Sequence, residues 1–442
     1  MAWDFETEPE FQEKLDWIER FLDDEVEPLV HLEIWRAGPG SRPYEQAIRP
    51  LQKKVREQGL WACHLGPELG GQGYGQVKLA LMNERLGRVS LAPVVFGCQA
   101  PDTGNAEIIA HFGTEEQKRK YLWPLLNNEI TSGYSMTEPQ GGSDPLAFQT
   151  TAVLDGEHWV INGEKWFTSG ARHAEVFVVY ALTDPDHPDP YRRMSMFLVP
   201  RQTHGVEVVR YVGVGETSRG SEGYMRYTNV RVAKDALLGE RGGAFVIGQT
   251  RLGGGRVHHA MRTVGQCKKA LDLMCRRAVS RATRGNGRIG DYQMVQEQIA
   301  DSWIELEMFR LLVLQTAWKI DKYKDYRKVR KDIAAVKVAM PKVYSEIVKR
   351  AMHIHGALGV SNEMPFASML IGSMVMGIAD GPTEVHKVTL ARQVLRDFKP
   401  DPGLFPAYTL PNMRAAAQER FPDLAEEIRA EWMARAASID AL

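Results

Sequence analysis

From about residue 8 to 130, apolar residues recur every three or four positions, as at Phe11, Leu15, Ile18 and Leu22, the spacing of one helical face. The stretch LGPELGGQGYG at 65–75 is a loop by composition, and Thr114 with Gln117 three residues on is a capping-box signal, so helices should flank both. Between about 131 and 240 the period falls to two. Segments such as TTAVLDGEHWVINGEKWFTSG, AEVFVVYAL, MSMFLVP, GVEVVRYVGV and YMRYTNVRV alternate, or run apolar in short β-branched bursts between Gly, Asp and Pro. They predict a small antiparallel barrel or sandwich. From 241 onward helical spacing returns in long segments, roughly 246–283, 291–324, 327–355 and 381–398, each bounded by Gly, Asn or Pro, which predicts a bundle. The pattern therefore describes an α+β chain: an N-terminal helical domain over 1–130, a middle β domain over 131–240, a helical bundle over 241–398 and a tail over 399–442. The tail opens on the Pro-rich KPDPGLFPAYTLPN and closes on a charged helix; nothing in it points to a function.

Composition fits a soluble globular protein: 442 residues, 44% hydrophobic, 25% charged and 9% aromatic. The net charge of −1 gives no global reason to expect a nucleic acid or an anionic membrane as partner. It conceals an uneven distribution, because residues 1–30 sum to −9 and residues 251–288 to +9, so anion-binding groups should be sought in the second stretch. Four cysteines with neither a CxxC pair nor scaffold density indicate a reducing cytoplasm and no zinc site. The N-terminus lacks the pattern of a secretion signal, and the apolar stretches, such as 369–379, are too short to span a bilayer.

The most informative stretch is YSMTEPQGGSD at 134–144, at the junction of the helical and β blocks. Its two glycines, with Ser143 and Asp144, make a turn whose N–H groups can face an anion or a carbonyl. The full run resembles the signature of the acyl-CoA dehydrogenase family, whose architecture is likewise a helical domain, a middle antiparallel β-barrel and a C-terminal four-helix bundle. Further on, KWFTSG at 165–170 resembles the second flavin segment of that family. The resemblance implies that Trp166 covers the ring system of FAD and that the Thr168 hydroxyl lies near its reactive nitrogen. It also implies that Tyr134, Met136 and Thr137 border the flavin, that Ser143 serves the cofactor or the CoA pantetheine, and that Glu138 and Pro139 shape the turn.

In the basic helix after Arg256, the residues Val257, Met261, Val264, Leu271, Met274 and Ala278 form one apolar face. By resemblance Arg256 lies near the CoA ester and Arg281 near FAD pyrophosphate. Twenty-five helical residues span about 37 Å, so the two cannot serve one phosphate within a subunit. The resemblance then implies a homodimer or homotetramer in which Arg281 reaches the FAD of a neighbour. Gln293 falls at another FAD contact of the family, and HIHGALG at 353–359 resembles a glycine turn that assigns Gly356 to the cofactor. The His353–His355 pair lacks a third ligand nearby, so no metal is expected.

The segment IADGPTEVH at 378–386 resembles the catalytic loop of the family, with Asp380 at the position of the base, Gly381 at the substrate, and Thr383 and Glu384 at the cofactor. Asp stands where Glu is commoner, and Pro382 stands where the Thr usually is. Asp380 also reads as an N-cap for the following helix. No rival acid precedes Arg256, where three glycines, Gly253, Gly254 and Gly255, occur instead. Together with PDTGN at 101–105 and RLGGGRVHH at 251–259, this form is most similar to the dehydrogenase half of the kinase-fused animal members and their bacterial relatives, over about residues 5–398. The kinase-like half is expected to be absent. The resemblance implies an FAD-dependent oxidoreductase that converts an acyl-CoA to a trans-2-enoyl-CoA, by α-proton abstraction and β-hydride transfer to flavin, and passes electrons to electron-transfer flavoprotein. The alternatives on the same fold are a flavin oxidase or monooxygenase and a non-enzymatic DNA-binding relative; the few Lys/Arg among many acids after residue 400 disfavour the latter.

Overall fold

Helices of the first block form where the apolar spacing places them. Pro9–Phe21 opens with Pro at its first position, where no N–H is needed, and buries Phe11, Leu15, Ile18 and Phe21. Arg42–Glu57, Gly75–Leu86 and Asp102–Phe112 follow, and the Thr114–Gln117 box forms both of its hydrogen bonds, at 3.2 and 3.1 Å. This is a computed structural model that describes residues 6–34, 37–215, 220 and 222–439. Among the described residues no helix is long and apolar enough to cross a membrane.

Among the described residues the middle block is one sheet of eight strands: β1 Ser132–Ser135, β2 Thr151–Asp155, β3 His158–Thr168, β4 Val176–Leu182, β5 Met194–Pro200, β6 Val206–Val212, β7 Glu222–Ala233 and β8 Leu237–Leu238. The order is β6-β7-β3-β2-β4-β5-β8, with β1 joined to β4. Most pairings are antiparallel, but β1 runs parallel to β4, and β2 meets β4 in parallel at one residue pair. The continuous apolar runs of β4 and β5 are buried almost throughout, as strands covered on both faces require.

The C-terminal block contains Ala244–Ser280, Gln293–Tyr323, Arg330–His355 and Thr383–Leu395, close to the four expected segments. A further helix, Phe366–Met376, was not resolved by periodicity because FASMLIGSMVM is apolar nearly all round. Asp380 does not cap the last helix. It has φ +56, in the left-handed region, and the carbonyl that accepts the first helical N–H groups is that of Pro382, two residues on. Two compact units divide the chain, residues 1–390 and 391–442. The second contains Leu410–Arg420 and Pro422–Ile439.

Helices before and after the sheet share one core in which Leu15, Ile48 and Met82 join Val257, Met261, Val264, Met274, Phe309 and Met340. Backbone contact brings the long helix Ala244–Ser280 against Gly75–Leu86. A Cβ on Gly265 would lie 2.1 Å from the Glu84 carbonyl oxygen, and one on Gly87 would lie 2.0 Å from that of Arg262. The buried Glu84 carboxylate ties the same two helices together through Lys268 and joins them to Gln293–Tyr323 through Arg310 at 2.8 Å.

A second buried ion pair fixes the end of the sheet. Lys165 Nζ donates to Glu138 Oε1 at 2.8 Å and to the Met136 carbonyl at 2.8 Å, while the Glu138 carboxylate accepts the N–H groups of Gln149 and Thr150. Burial draws the Lys165 ammonium down to about 8, against the pull of Glu138, so it stays charged at neutral pH. Burial works to raise Glu138, but Lys165 and the hydrogen bonds outweigh it and hold the carboxyl below its ordinary range.

Two variants test these constraints by thermal unfolding. Gly265→Ala should cost about 1–3 kcal/mol or more, because helix backbones must separate. Lys165→Met should cost about 3–5 kcal/mol near neutral pH by leaving a lone buried carboxylate. That deficit should shrink as the pH falls and Glu138 takes up a proton, whereas a deficit independent of pH would show that the charge is not its cause.

Candidate active site

The Lys165–Glu138 pair sets the two motif segments side by side. Trp166 N–H donates to the Thr137 carbonyl at 2.7 Å, and Tyr134 N–H donates to the Ser169 carbonyl at 3.1 Å. The Ser135 hydroxyl lies 3.0 Å from that of Thr168 and 2.8 Å from that of Tyr227, all three buried. Between Lys165 and Thr168 the β3–β7 register breaks, and Phe167 takes φ +51. This bulge stacks the rings of Trp166 and Phe167 at 5.3 Å and 3°, with Phe167 exposed. The buried Trp166 indole N–H has no partner. At 138–144 the chain turns through paired Glu138–Gly141 hydrogen bonds; Ser143 is exposed, and Asp144 caps the short turn after it by accepting from Leu146 N–H.

Asp380 is held against the long helix by its own backbone. Its carbonyl accepts from Arg256 Nε at 2.9 Å and lies 3.3 Å from His386 Nε2, which fixes a conformation that L residues seldom adopt. Its side chain meets Gly255, where a Cβ would lie 3.3 Å from Oδ2, and His259, whose Nε2 is 3.9 Å from the same oxygen. Thus a glycine stands where the approaching carboxylate needs room. Lys337, buried on Arg330–His355 and donating to the Met376 carbonyl, is drawn down to about 8 by burial, with Asp380 acting upward and Arg256 downward. Burial draws both His259 and His386 down to about 4.

Tyr134 links this loop to the sheet. The Arg251 guanidinium lies 3.6 Å over its ring and donates to Asn105 Oδ1 at 2.8 Å. Burial pushes the Tyr134 phenol up to about 12; Arg251 opposes the rise and the Asp380 carboxylate adds to it, so loop and motif share one electrostatic neighbourhood. Glu107, near Gly254 and Tyr326, is pushed up to about 7 by burial.

The predicted residues thus fall into two main groups, with Arg281, Gln293 and Gly356 apart from both. Tyr134, Met136, Thr137, Trp166 and Thr168 gather at one end of the sheet, and Asp380 and Gly381 in the loop gather with Arg256 of the long helix, within electrostatic reach of Tyr134. Arg281 ends the long helix as its C-cap, and its Nη1 lies 3.7 Å from where a Cβ of Gly356 would stand. The Arg281 carbonyl accepts from Ile289 N–H, and Gln293 begins the helix just beyond. Arg256 turns its Nε to the loop carbonyl, Thr383 Oγ1 donates to the Gly377 carbonyl, and Glu384 is exposed. His259, Lys337 and His386 were not assigned from sequence. A signal existed for two: His259 lies one turn after Gly255, and Lys337 interrupts the apolar face of Ile333, Val336 and Met340. Among the described residues no group of three or more His, Cys, Asp or Glu could hold a metal.

Comparison with known proteins matches residues 8–129 to the N-terminal domain, 133–230 to the middle domain and 241–395 to the C-terminal domain of acyl-CoA dehydrogenase. The Mycobacterium tuberculosis protein named "Probable acyl-CoA dehydrogenase FadE2" is 40% identical over 81% of this chain and 88% of its own length. Acyl-CoA dehydrogenase family member 11 of Mus musculus is 40% identical over 79% of this chain, which spans only 45% of that longer protein. A solved acyl-CoA dehydrogenase-like structure from Mycobacterium abscessus superposes with a TM-score of 0.82 at 36% identity, covering 89% of this chain and all of the other. With all three domains matched in order and the two motif segments joined at the end of the sheet, the chain belongs to the acyl-CoA dehydrogenase family of flavin-dependent oxidoreductases.

Proposed function

We propose that this protein oxidises an acyl-CoA thioester to the trans-2-enoyl-CoA in the cytoplasm, as a homodimer or homotetramer, with electron-transfer flavoprotein as electron acceptor. The observation that carries the reading is the Asp380 loop: a carboxylate facing Gly255, its backbone clamped by Arg256 and His386, within electrostatic reach of Tyr134.

The residues present suit FAD. An orphaned buried indole N–H on Trp166, a Trp–Phe stack at the end of the sheet and the adjoining Thr137 offer a planar surface and polar contacts to a flat polar ring. Tyr134, Met136, Thr137, Trp166 and Thr168 would hold the ring, with Ser143, Thr383 and Glu384 as nearby contacts. Arg281, Gln293 and Gly356 would hold its pyrophosphate end, reached from a second subunit. FAD, when bound, supplies the acceptor for the β-hydrogen and its electron pair.

The protein's own part is to remove the α-proton and to orient the thioester. Asp380 takes that proton onto a carboxylate oxygen; the clamp on its carbonyl keeps the carboxylate aimed without occupying it. Ser143, Arg256 and Gly381 border the CoA thioester end. The Trp166–Phe167 stack and the buried Tyr134 keep water from the reacting carbons.

Asp380→Asn should retain the yellow flavin yet slow its bleaching by acyl-CoA about 10²–10⁴-fold in stopped flow; equal bleaching would remove Asp380 from the chemistry. Arg281→Ala should lower the flavin-to-protein absorbance ratio of the purified protein, and full occupancy would take Arg281 out of the cofactor site. Reduced flavin should react slowly with O₂ and quickly with electron-transfer flavoprotein, the reverse order marking an oxidase.

A further inference from the structure

The Asp380 carboxylate has a neighbour that the reading above leaves without a task. Gly255 and His259 lie one turn apart on Ala244–Ser280 and so share a face. Both meet the same atom, Asp380 Oδ2: Gly255 by leaving room where a Cβ would stand 3.3 Å away, His259 by presenting Nε2 at 3.9 Å. The Asp380 backbone is already fixed by Arg256 and His386, so the freedom left to the carboxylate is rotation of its own side chain. A rotation of either side chain closes 3.9 Å to a hydrogen bond, a tightening usual when substrate fills a site.

We infer that His259 is a positioning residue for Asp380, donating Nε2–H to Oδ2 so that Oδ1 is the oxygen left to meet the substrate α-proton. This rests on Asp380 being the base.

The charge state of the imidazole matters to this role. The groups that face His259 are Arg251, Arg262 and His258 on its own helix, Lys337 from Arg330–His355, and Asp380 from the loop. Burial first, then Arg262, draws His259 down to about 4, although Asp380 acts upward. The ring is therefore neutral through the physiological range. A neutral donor orients a carboxylate while lowering its basicity less than a cation at the same place would, because the hydrogen bond favours the anion without a full opposing charge.

Two variants separate donation from mere packing. His259→Phe keeps a ring of similar size and removes the donor; His259→Gln keeps an amide N–H near the position of Nε2. His259→Phe should lose about tenfold to a hundredfold in the rate of flavin reduction with KM little changed, since a small misplacement of a reacting group costs that much. Its acid limb should move to higher pH, because a donor to the anionic form has gone. His259→Gln should recover most of the rate and return the limb. A readout independent of turnover is the Asp380 carboxyl titration in the FAD-loaded, carbon-13-aspartate-labelled protein, its signal identified by its loss in Asp380→Asn. The midpoint should rise in His259→Phe and return towards wild type in His259→Gln. An unchanged midpoint and pH limb in His259→Phe would overturn the inference, as would equal losses in both variants. If the wild type bleaches with no acyl-CoA, the dehydrogenase reading fails, and the carboxyl titration still decides the role of His259.

Discussion

The buried ion pair between Lys165 and Glu138 is the contact on which the active end of the sheet depends. One ammonium satisfies a carboxylate and the Met136 carbonyl, and that carboxylate collects two N–H groups from the chain entering β2. The signature turn, the start of β2 and the end of β3 are thereby joined through one pair of buried side chains. A pair with side chains 0% and 2% exposed is poor evidence of extra stability, since desolvating both ions costs about as much as their attraction returns. Its value lies in register. With Lys165 anchored, the bulge that follows can turn Trp166 and Phe167 outward without letting the strand slip.

A second constraint acts on the other side of the site, where the long helix supplies a gap rather than a group. Gly255 lets the Asp380 side chain approach the helix, Arg256 on the next residue clamps the loop carbonyl, and His259 one turn later reaches the carboxylate. Room, clamp and donor thus come from five consecutive residues of one helix. The helix can be placed so closely because glycines elsewhere along it and its neighbour, Gly265 and Gly87, allow backbone contact. Much of the +9 charge seen in the sequence has structural uses here: Arg251 over Tyr134, Arg256 on the loop, Arg262 on the Cys98 carbonyl and Lys268 on Glu84.

Legibility in the sequence followed the physical origin of each feature. The helix, sheet, helix order was readable because period 3.6 and period 2 leave plain marks on exposed amphipathic elements. Where an element is apolar throughout, as Phe366–Met376 is, the mark vanishes, and the helix was not separated from its surroundings. Parallel pairing of β1 with β4 was equally hidden, because strand period says nothing about partner direction. The N-cap reading of Asp380 gave way for a related reason: Asp before Gly-Pro suits both a cap and a left-handed turn, and only contacts with Arg256 and His386 choose between them.

Local periodicity, and short runs of residues whose chemistry travels with their order, were enough to mark the class of fold, the family and the motif segments. Tertiary structure decided which groups meet. His259 and Lys337 lie 121 and 43 residues before Asp380, yet both act on one carboxylate, because the long helix and its neighbour pass beside a single loop. Distances of that kind depend on how closely helix backbones pack, and the glycines that permit it reveal their purpose only when the opposing carbonyl is in place.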